Sequence, residues 1–383
     1  MWALFSFCIL NVASPLIFDF WGLSRGYGLA LTFMTVSIYC YIKYIEGKQV
    51  RFLVLALAGA ILSVDSNLAY INYYVALTSA VMLQSLLFKD EHGNRALLKP
   101  FFAILIAAIM LAAVIYIPLR NVMSHDELSY LGSEGFVENT VKSLVETGFF
   151  LAGPGNQQAR EVVQASVIAI AILLSAYWGV IYFRRRYYKG YVPLDVQYGL
   201  ALFILLVTPV ISLIAQHAFL GINYLTDRTA LFFIFLFVLL LVYSLYHISR
   251  HAPGLGWPAF IFLFILTGYN FCSKVNLRYS YLWWFNVDDL HVMQQIIEES
   301  PDMKRKIKVR VDWRFVACLN YDFTYYHPGK FEKLYDKRDE PGTDTTFDFY
   351  YIDNNQDVTT LKNHYVRDTS FVYGAFILYK KRR

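Results

Sequence analysis

The chain has 383 residues, of which 57% are hydrophobic and 18% aromatic, while only 16% are charged. A water-soluble domain carries roughly 25% charged residues, so this balance excludes an ordinary soluble protein and points to a membrane protein. The net charge of +5 is spread over separate loops and not gathered in one patch, which argues against a nucleic-acid partner.

A helix that crosses a bilayer needs about 20 mostly apolar residues. Candidate crossings are residues 2–17, 26–45, 49–64, 68–88, 101–119, 162–183, 196–216, 229–247 and 257–273, about nine helices in all. The first is short and interrupted by Asn11 and Pro15. Met1 enters it without the basic leader of a signal peptide. The expectation is that this run is the remnant of a longer protein. Residues 14–41 then join a polar turn holding Asp19 and Arg25 to the first full-length crossing. Charged groups beside hydrocarbon are costly to desolvate, so this turn reads either as an interfacial loop with a snorkelling Arg25 or as a substrate-facing loop. Cys8, Cys40, Cys272 and Cys318 have neither metal-binding nor paired spacing, and no structural disulfide is expected.

Lys and Arg counts set the orientation. One set of connections carries Lys43, Lys48 and Arg51, then Lys89, Arg95 and Lys99, then Arg184, Arg185, Arg186 and Lys189, then Arg250. The alternate set is cation-poor for its length. The Arg-rich loops are therefore expected in the cytoplasm. The 19–25 turn, the loop 120–161, the loop 217–228 and the C-terminal tail are expected outside it. Within 120–161, Phe136, Val137, Thr140, Val141, Leu144 and Val145 recur at helical spacing, opposite Glu138, Asn139, Lys142 and Glu146. This predicts a short amphipathic helix that lies on the membrane surface or docks on the other helices. Gly153, Pro154 and Gly155 end it.

Beyond residue 273 the character changes: the last 111 residues hold 34 of the chain's 63 Lys, Arg, Asp and Glu. Residues 1–273 thus read as a transmembrane helical domain and 274–383 as a small soluble α/β domain outside the membrane. Tyr279, Tyr281, Trp283 and Trp284 fit an interfacial aromatic belt. Asn286 is expected to cap a helix running to Glu299, with Leu290, Met293, Ile296 and Ile297 inward. Strands are expected at 306–311, 347–352 and 371–379, and 315–326 reads as helix or strand. Asp288 and Asp289 resemble a metal pair, but acids in a helix's first turn are ordinary dipole partners.

Polar groups collect at the outward helix ends: Asp19, Arg25 and Tyr27; Asp65 and Asn67; His217, Asn223, Tyr224, Asp227 and Arg228. Thr226 or Asp227 can simply cap the helix that begins near Arg228. The functional reading sets Arg25 and Arg228 on a lipid-borne phosphate, because a guanidinium fork matches two phosphate oxygens at once. Tyr27, Asn67, Tyr224 and Asp227 would line that site, and Asp19 or Asp65 would accept a proton from an acceptor hydroxyl. No metal ligands are assigned, and a divalent metal stays open as cofactor. There is no P-loop, dinucleotide fingerprint, His-Glu-x-x-His or Gly-x-Ser-x-Gly motif.

The segments Ser-Pro-Leu-Ile-Phe-Asp-Phe-Trp-Gly-Leu-Ser-Arg-Gly-Tyr-Gly-Leu-Ala-Leu (14–31) and Asp-Arg-Thr-Ala-Leu-Phe-Phe (227–233) resemble bacterial multi-pass proteins related to the GT-C glycosyltransferases. Val311-Asp312-Trp313 and Leu319-Asn320-Tyr321 are similar to the outer domain of the same proteins. The resemblance implies transfer of a sugar from a polyprenyl-phosphate donor to a glycan or protein acceptor, at the outer face of a bacterial inner membrane. It also implies an acidic motif in the first outer loop, yet no Asp-Asp or Asp-Glu pair precedes Asp19, so a truncated or inactive form is one expectation. Alternatives from other classes are a transporter or lipid flippase, and a non-catalytic assembly partner in cell-envelope glycan synthesis.

Overall fold

The computed structural model describes residues 17, 26–88, 97–124, 132–149, 157–189, 192–274, 281–300, 305–335, 344–355 and 359–382. The chain divides into two compact units, Met1–Val275 and Asn276–Arg383. The first expected crossing, residues 2–17, lies outside the described residues save for Ile17.

The first unit is helical. Its long helices are α1 (Tyr27–Gly47), α2 (Val50–Ser66), α3 (Ile71–Leu87), α4 (Leu98–Ser124), α6 (Gln157–Lys189), α7 (Leu194–Leu220), α8 (Leu231–His251) and α9 (Pro253–Lys274), with the short α5 (Lys142–Phe149) between α4 and α6. Six of them, α1, α4, α6, α7, α8 and α9, contain stretches long and apolar enough to cross a membrane. The other two, α2 and α3, have 17 residues each, and such a helix is about 26 Å long.

The outer surface of the bundle suits hydrocarbon better than water. Only 17%, 11% and 6% of the apolar stretches of α4, α6 and α9 are buried. Phe102, Ile106, Ile109 and Ile117 of α4, Leu173 and Val180 of α6, and Phe262 and Ile265 of α9 are all more than half exposed. In water this would be a large unpaired apolar surface; hydrocarbon accepts it at no cost.

Inside the bundle, small residues let helices close together. Ala56, Gly59 and Ala60 of α2 face α1, where a Cβ on Gly59 would stand 3.1 Å from the Phe33 carbonyl oxygen. Ser37 Oγ donates to Ala56 O at 2.6 Å and Ser63 Oγ to Ala30 O at 2.8 Å. Helix α3 is fastened to α7 at both ends. Gln84 Nε2 donates to Gln197 Oε1 at 2.7 Å near one end. Near the other, Asn72 Oδ1 accepts from Ser212 Oγ at 3.0 Å and from Gln216 Nε2 at 2.8 Å.

The second unit is an α/β domain. Its elements are α10 (Asp289–Glu298), β1 (Val309–Val311), α11 (Val316–Tyr326), β2 (Phe349–Asp353), α12 (Leu361–His364), β3 (Tyr365–Phe371) and β4 (Phe376–Lys381). The sheet order is β1-β2-β4-β3, with β1 parallel to β2 and the other pairs antiparallel. Val292, Met293 and Ile296 of α10 and Leu319 and Phe323 of α11 cover one face, against Val309, Val311, Phe349, Tyr351 and Leu378. Tyr350, Ile352, Leu361, Tyr365, Ile377 and Tyr379 pack on the other.

Several expectations are corrected here. Asn286 does not cap α10: it sits within a 3-10 segment, Tyr281–Asp288, and its Nδ2 donates to Cys318 Sγ at 2.9 Å. Met293 and Ile296 face inward as expected, but the buried stripe runs through Asp289 and Val292, and Leu290 is exposed. The expected strand 371–379 is in fact two strands around a turn at Val372–Gly374. The piece 315–326 is helix, following a short 3-10 turn.

Candidate functional site

Helix α7 ends at Gly221, whose φ of 66° is left-handed and whose N–H closes on His217 O at 3.0 Å. This is a common helix stop, since glycine takes that conformation freely. The following loop re-enters helix through Thr226 and Thr229: Thr226 N–H donates to Thr229 Oγ1 at 3.0 Å, and Thr229 N–H donates to Thr226 O at 3.0 Å. The cap therefore belongs to Thr226, and the Asp227 carboxylate is not used for it. Asp227 itself has φ 45°, an uncommon conformation for a residue with a Cβ.

What holds the loop is the segment from the long connection. A π-helical turn, Phe136–Val141, runs into α5. Thr140 Oγ1 donates to Leu225 O at 2.6 Å, and Ser143 Oγ accepts the Asp227 N–H at 2.9 Å. Tyr224 N–H donates to Gly132 O at 3.0 Å. The Phe136 ring meets Phe233 and Tyr224 edge-on at 5.6 and 6.4 Å, and Asn270 Nδ2 of α9 donates to Gly148 O at 3.0 Å. The apolar stripe of this segment thus docks on the bundle, with Thr140 and Val145 buried.

Its polar face meets the start of α6. Between them lies a water-accessible cleft of about 560 Å³ lined by Glu138, Lys142, Glu146, Arg160 and Glu161, with Gln157 and Gln164. Glu146 Oε1 pairs with Arg160 Nη1 at 3.7 Å. Glu146 and Arg228 are the charged neighbours of Asp227. Two carboxylates thus stand between two cations from the cleft wall back to the α8 N-terminus: Arg160, Glu146, Asp227, Arg228. Such a set can grip hydroxyls and phosphate oxygens and can pass a proton to a carboxylate.

The residues singled out from the sequence fall as follows. Tyr224, Asp227 and Arg228 stand together beside this segment. Tyr27 is buried at the first turn of α1. Asn67 Oδ1 accepts the Ala69 N–H at 3.0 Å, which makes it the cap of the 3-10 turn Leu68–Tyr70. Tyr70 in that turn meets the Phe232 ring at 5.4 Å, joining the early loop to the α8 N-terminus. Asp65 is exposed at the end of α2 and joins none of the hydrogen bonds or ion pairs found among the described residues. Asp19 and Arg25 lie outside the described residues. Glu138, Lys142, Glu146 and Arg160 were not singled out, since the polar face of an amphipathic helix reads as a solvated face. Only long-range docking makes it a cleft wall.

In the second unit, Asp288 Oδ2 accepts the Val372 N–H at 2.8 Å. Asp289 is buried, and burial, then the nearby Asp322 and Asp288, push its carboxyl up to about 8. Among the described residues no group of three or more His, Cys, Asp or Glu is arranged to hold a metal ion.

No family model matches the chain, and no curated protein matches it closely enough to indicate a relationship.

Proposed function

We propose that this is a multi-pass membrane glycosyltransferase of the GT-C kind, acting at the outer face of a bacterial inner membrane with its C-terminal unit outside the cytoplasm. The observation that carries the reading is the charged cleft at one end of an apolar bundle, where Glu146 pairs with Arg160 and neighbours Asp227. A polyprenyl-phosphate sugar would keep its lipid in hydrocarbon and set its phosphate near Arg228 and Arg160. The acceptor hydroxyl gives its proton to a carboxylate, Glu146 or Asp227, as its oxygen bonds to the anomeric carbon. The bond from that carbon to the phosphate oxygen breaks, and polyprenyl phosphate leaves.

A transport reading has less support. Ser37, Ser63, Asn72, Gln84 and Gln197, buried between α1, α2, α3 and α7, are neutral and hydrogen-bonded. Transport pathways are usually marked by ionisable groups at that depth.

The test is binding of a radiolabelled polyprenyl-phosphate sugar to the purified protein in nanodiscs, followed by release of label to added acceptor. Arg228→Ala is expected to weaken donor binding about tenfold or more. Equal binding by wild type and Arg228→Ala would remove the phosphate role. No binding by the wild type would remove the transferase reading.

A further inference from the structure

A second cleft lies at the opposite end of the bundle, and the transfer reading makes no use of it. It occupies about 1150 Å³ between the C-terminal ends of α6 and α8, and its lining divides into two zones. Val180, Ile181 and Phe183 lie toward mid-helix; Arg184, Arg185 and His251 lie at the helix ends. Tyr187 and Tyr188, 84% and 77% exposed, continue past them.

The floor is rigid. His247, 6% exposed, bonds through Nδ1 to Tyr177 OH at 2.7 Å, and its Nε2 lies 3.5 Å from Asp195 Oδ2. The His247 ring stands over Trp178 at 5.0 Å, and Trp178 Nε1 donates to Ser244 Oγ at 2.9 Å. His251 packs on His247 at 4.5 Å and holds the His247 carbonyl with Nδ1 at 2.8 Å, so that nitrogen carries the proton and Nε2 faces elsewhere. Asp195 is the acidic group near this floor. It also lies near Tyr177 and Tyr243, whose hydroxyl donates to the Asp195 carbonyl at 2.7 Å. Arg185, Arg250 and His251 are the basic neighbours of His247.

Depth fixes the chemistry of the occupant. From Arg160 to Arg184 helix α6 rises about 36 Å, close to a hydrocarbon core of about 30 Å with its interfaces. No Lys, Arg, Asp or Glu stands between Glu161 and Arg184. Arg184 and Arg185 therefore stand at headgroup level, with the apolar wall of Val180, Ile181 and Phe183 in the turn before them. A soluble anion needs the cations alone. A lipid needs the cations and the apolar wall together, in this order along the helix.

We propose that this cleft binds an anionic phospholipid of the adjoining leaflet. Arg184 and Arg185 hold its phosphate, His251 Nε2 accepts a hydrogen bond from a headgroup hydroxyl, and Val180, Ile181 and Phe183 cover the first acyl methylenes. Basic residues at membrane-facing clefts attract acidic headgroups, and guanidinium forks fix the phosphate in place.

The experiment is native mass spectrometry of the full chain, delipidated and titrated with phosphatidylglycerol or phosphatidylcholine of the same acyl chains. The wild type should retain phosphatidylglycerol about tenfold more tightly than phosphatidylcholine. Arg184→Gln with Arg185→Gln should abolish that preference, while Arg51→Gln, an inner-loop cation outside the cleft, should leave it intact. If the double substitution fails to yield folded protein, Arg185→Lys, which keeps the charge and loses the fork, should still weaken retention. Equal retention of the two lipids, or an unchanged preference in the double or Arg185→Lys variant, would overturn the assignment. So would displacement of the lipid by millimolar inorganic phosphate, which would mark a soluble-anion site. Donor binding at the outer cleft should be the same in all these variants, which separates this proposal from the transferase reading.

Discussion

The hydroxyl of Ser143 accepts the backbone N–H of Asp227 at 2.9 Å, a bond between residues 84 apart in the chain. Together with Thr140 Oγ1 on Leu225 O it clamps the surface segment onto the α7–α8 loop and holds Asp227 at its positive φ. Thr140 is fully buried, so Thr140→Val would leave the Leu225 carbonyl without its donor inside apolar surroundings. The expected loss is about 1–3 kcal/mol, read as a lower midpoint in thermal unfolding of the detergent-solubilised protein. Ser143→Ala should cost about 1 kcal/mol, since its site is half-buried. Both variants should also expose residues 136–149 to proteolysis before the rest of the bundle melts.

Gly199 supplies a test of the bundle itself. A Cβ there would stand 2.3 Å from the Trp178 ring, whose other contacts, to Ser244 and to Tyr243 at 5.6 Å, leave it no room to retreat. Gly199→Ala should therefore destabilise the α6–α7 contact by about 1–3 kcal/mol. Gly179, which has nothing within 4 Å of its would-be Cβ, is the internal control. Gly179→Ala should leave the midpoint unchanged or raise it. A midpoint for Gly199→Ala equal to that of the control would refute the close contact.

The long helices were legible because a bilayer demands a long apolar run, and that demand is written residue by residue in 101–119 or 229–247. The inward face of α10 was only partly legible: Met293 and Ile296 are buried as expected, but Val292 is buried too and Leu290 is exposed. Strand β3 was missed because it lies at the sheet edge. Arg367, Asp368, Thr369 and Ser370 show no apolar alternation there, and the register to β4 slips between Arg367 and Ser370. At the site, Tyr224, Asp227 and Arg228 could be found because they punctuate a helix start. Glu146 and Arg160 could not, because their relation spans a loop and depends on how α5 docks.

Asp289 makes the second unit sensitive to pH. Burial, with Asp322 and Asp288 nearby, pushes its carboxyl up to about 8, against about 3.9 in an unfolded chain. Between those values the folded state holds a proton that the unfolded state has lost. The stabilisation is thus complete below about pH 4 and falls as pH rises to about 8. Asp289→Asn removes this dependence by imitating the protonated carboxyl. Hydrogen exchange of 289–298, corrected for intrinsic base catalysis, should show the variant better protected than wild type at pH 8. The advantage should shrink at pH 5. Equal protection at both values would show that the carboxyl is not held protonated.

For the proposed transferase activity, the cleft between α5 and α6 gives the sharpest division between binding and chemistry. Arg160 and Arg228 are the guanidinium groups near Glu146 and Asp227, so their loss should act on donor affinity, whereas a carboxylate that accepts the acceptor's proton should act on turnover. Glu146→Gln keeps the shape of the side chain and removes its charge, which also releases Arg160 from its pair at 3.7 Å. Donor binding should then hold or tighten, while transfer falls about 100-fold or more if Glu146 is the base. Asp227→Asn gives the complementary answer, because its N–H bond to Ser143 does not depend on the carboxylate. If the base is Asp227, the collapse in turnover belongs to that variant and Glu146→Gln becomes mild. If both variants transfer at the wild-type rate with unchanged donor affinity, neither carboxylate takes part in the chemistry and the cleft is a surface feature of the docked segment.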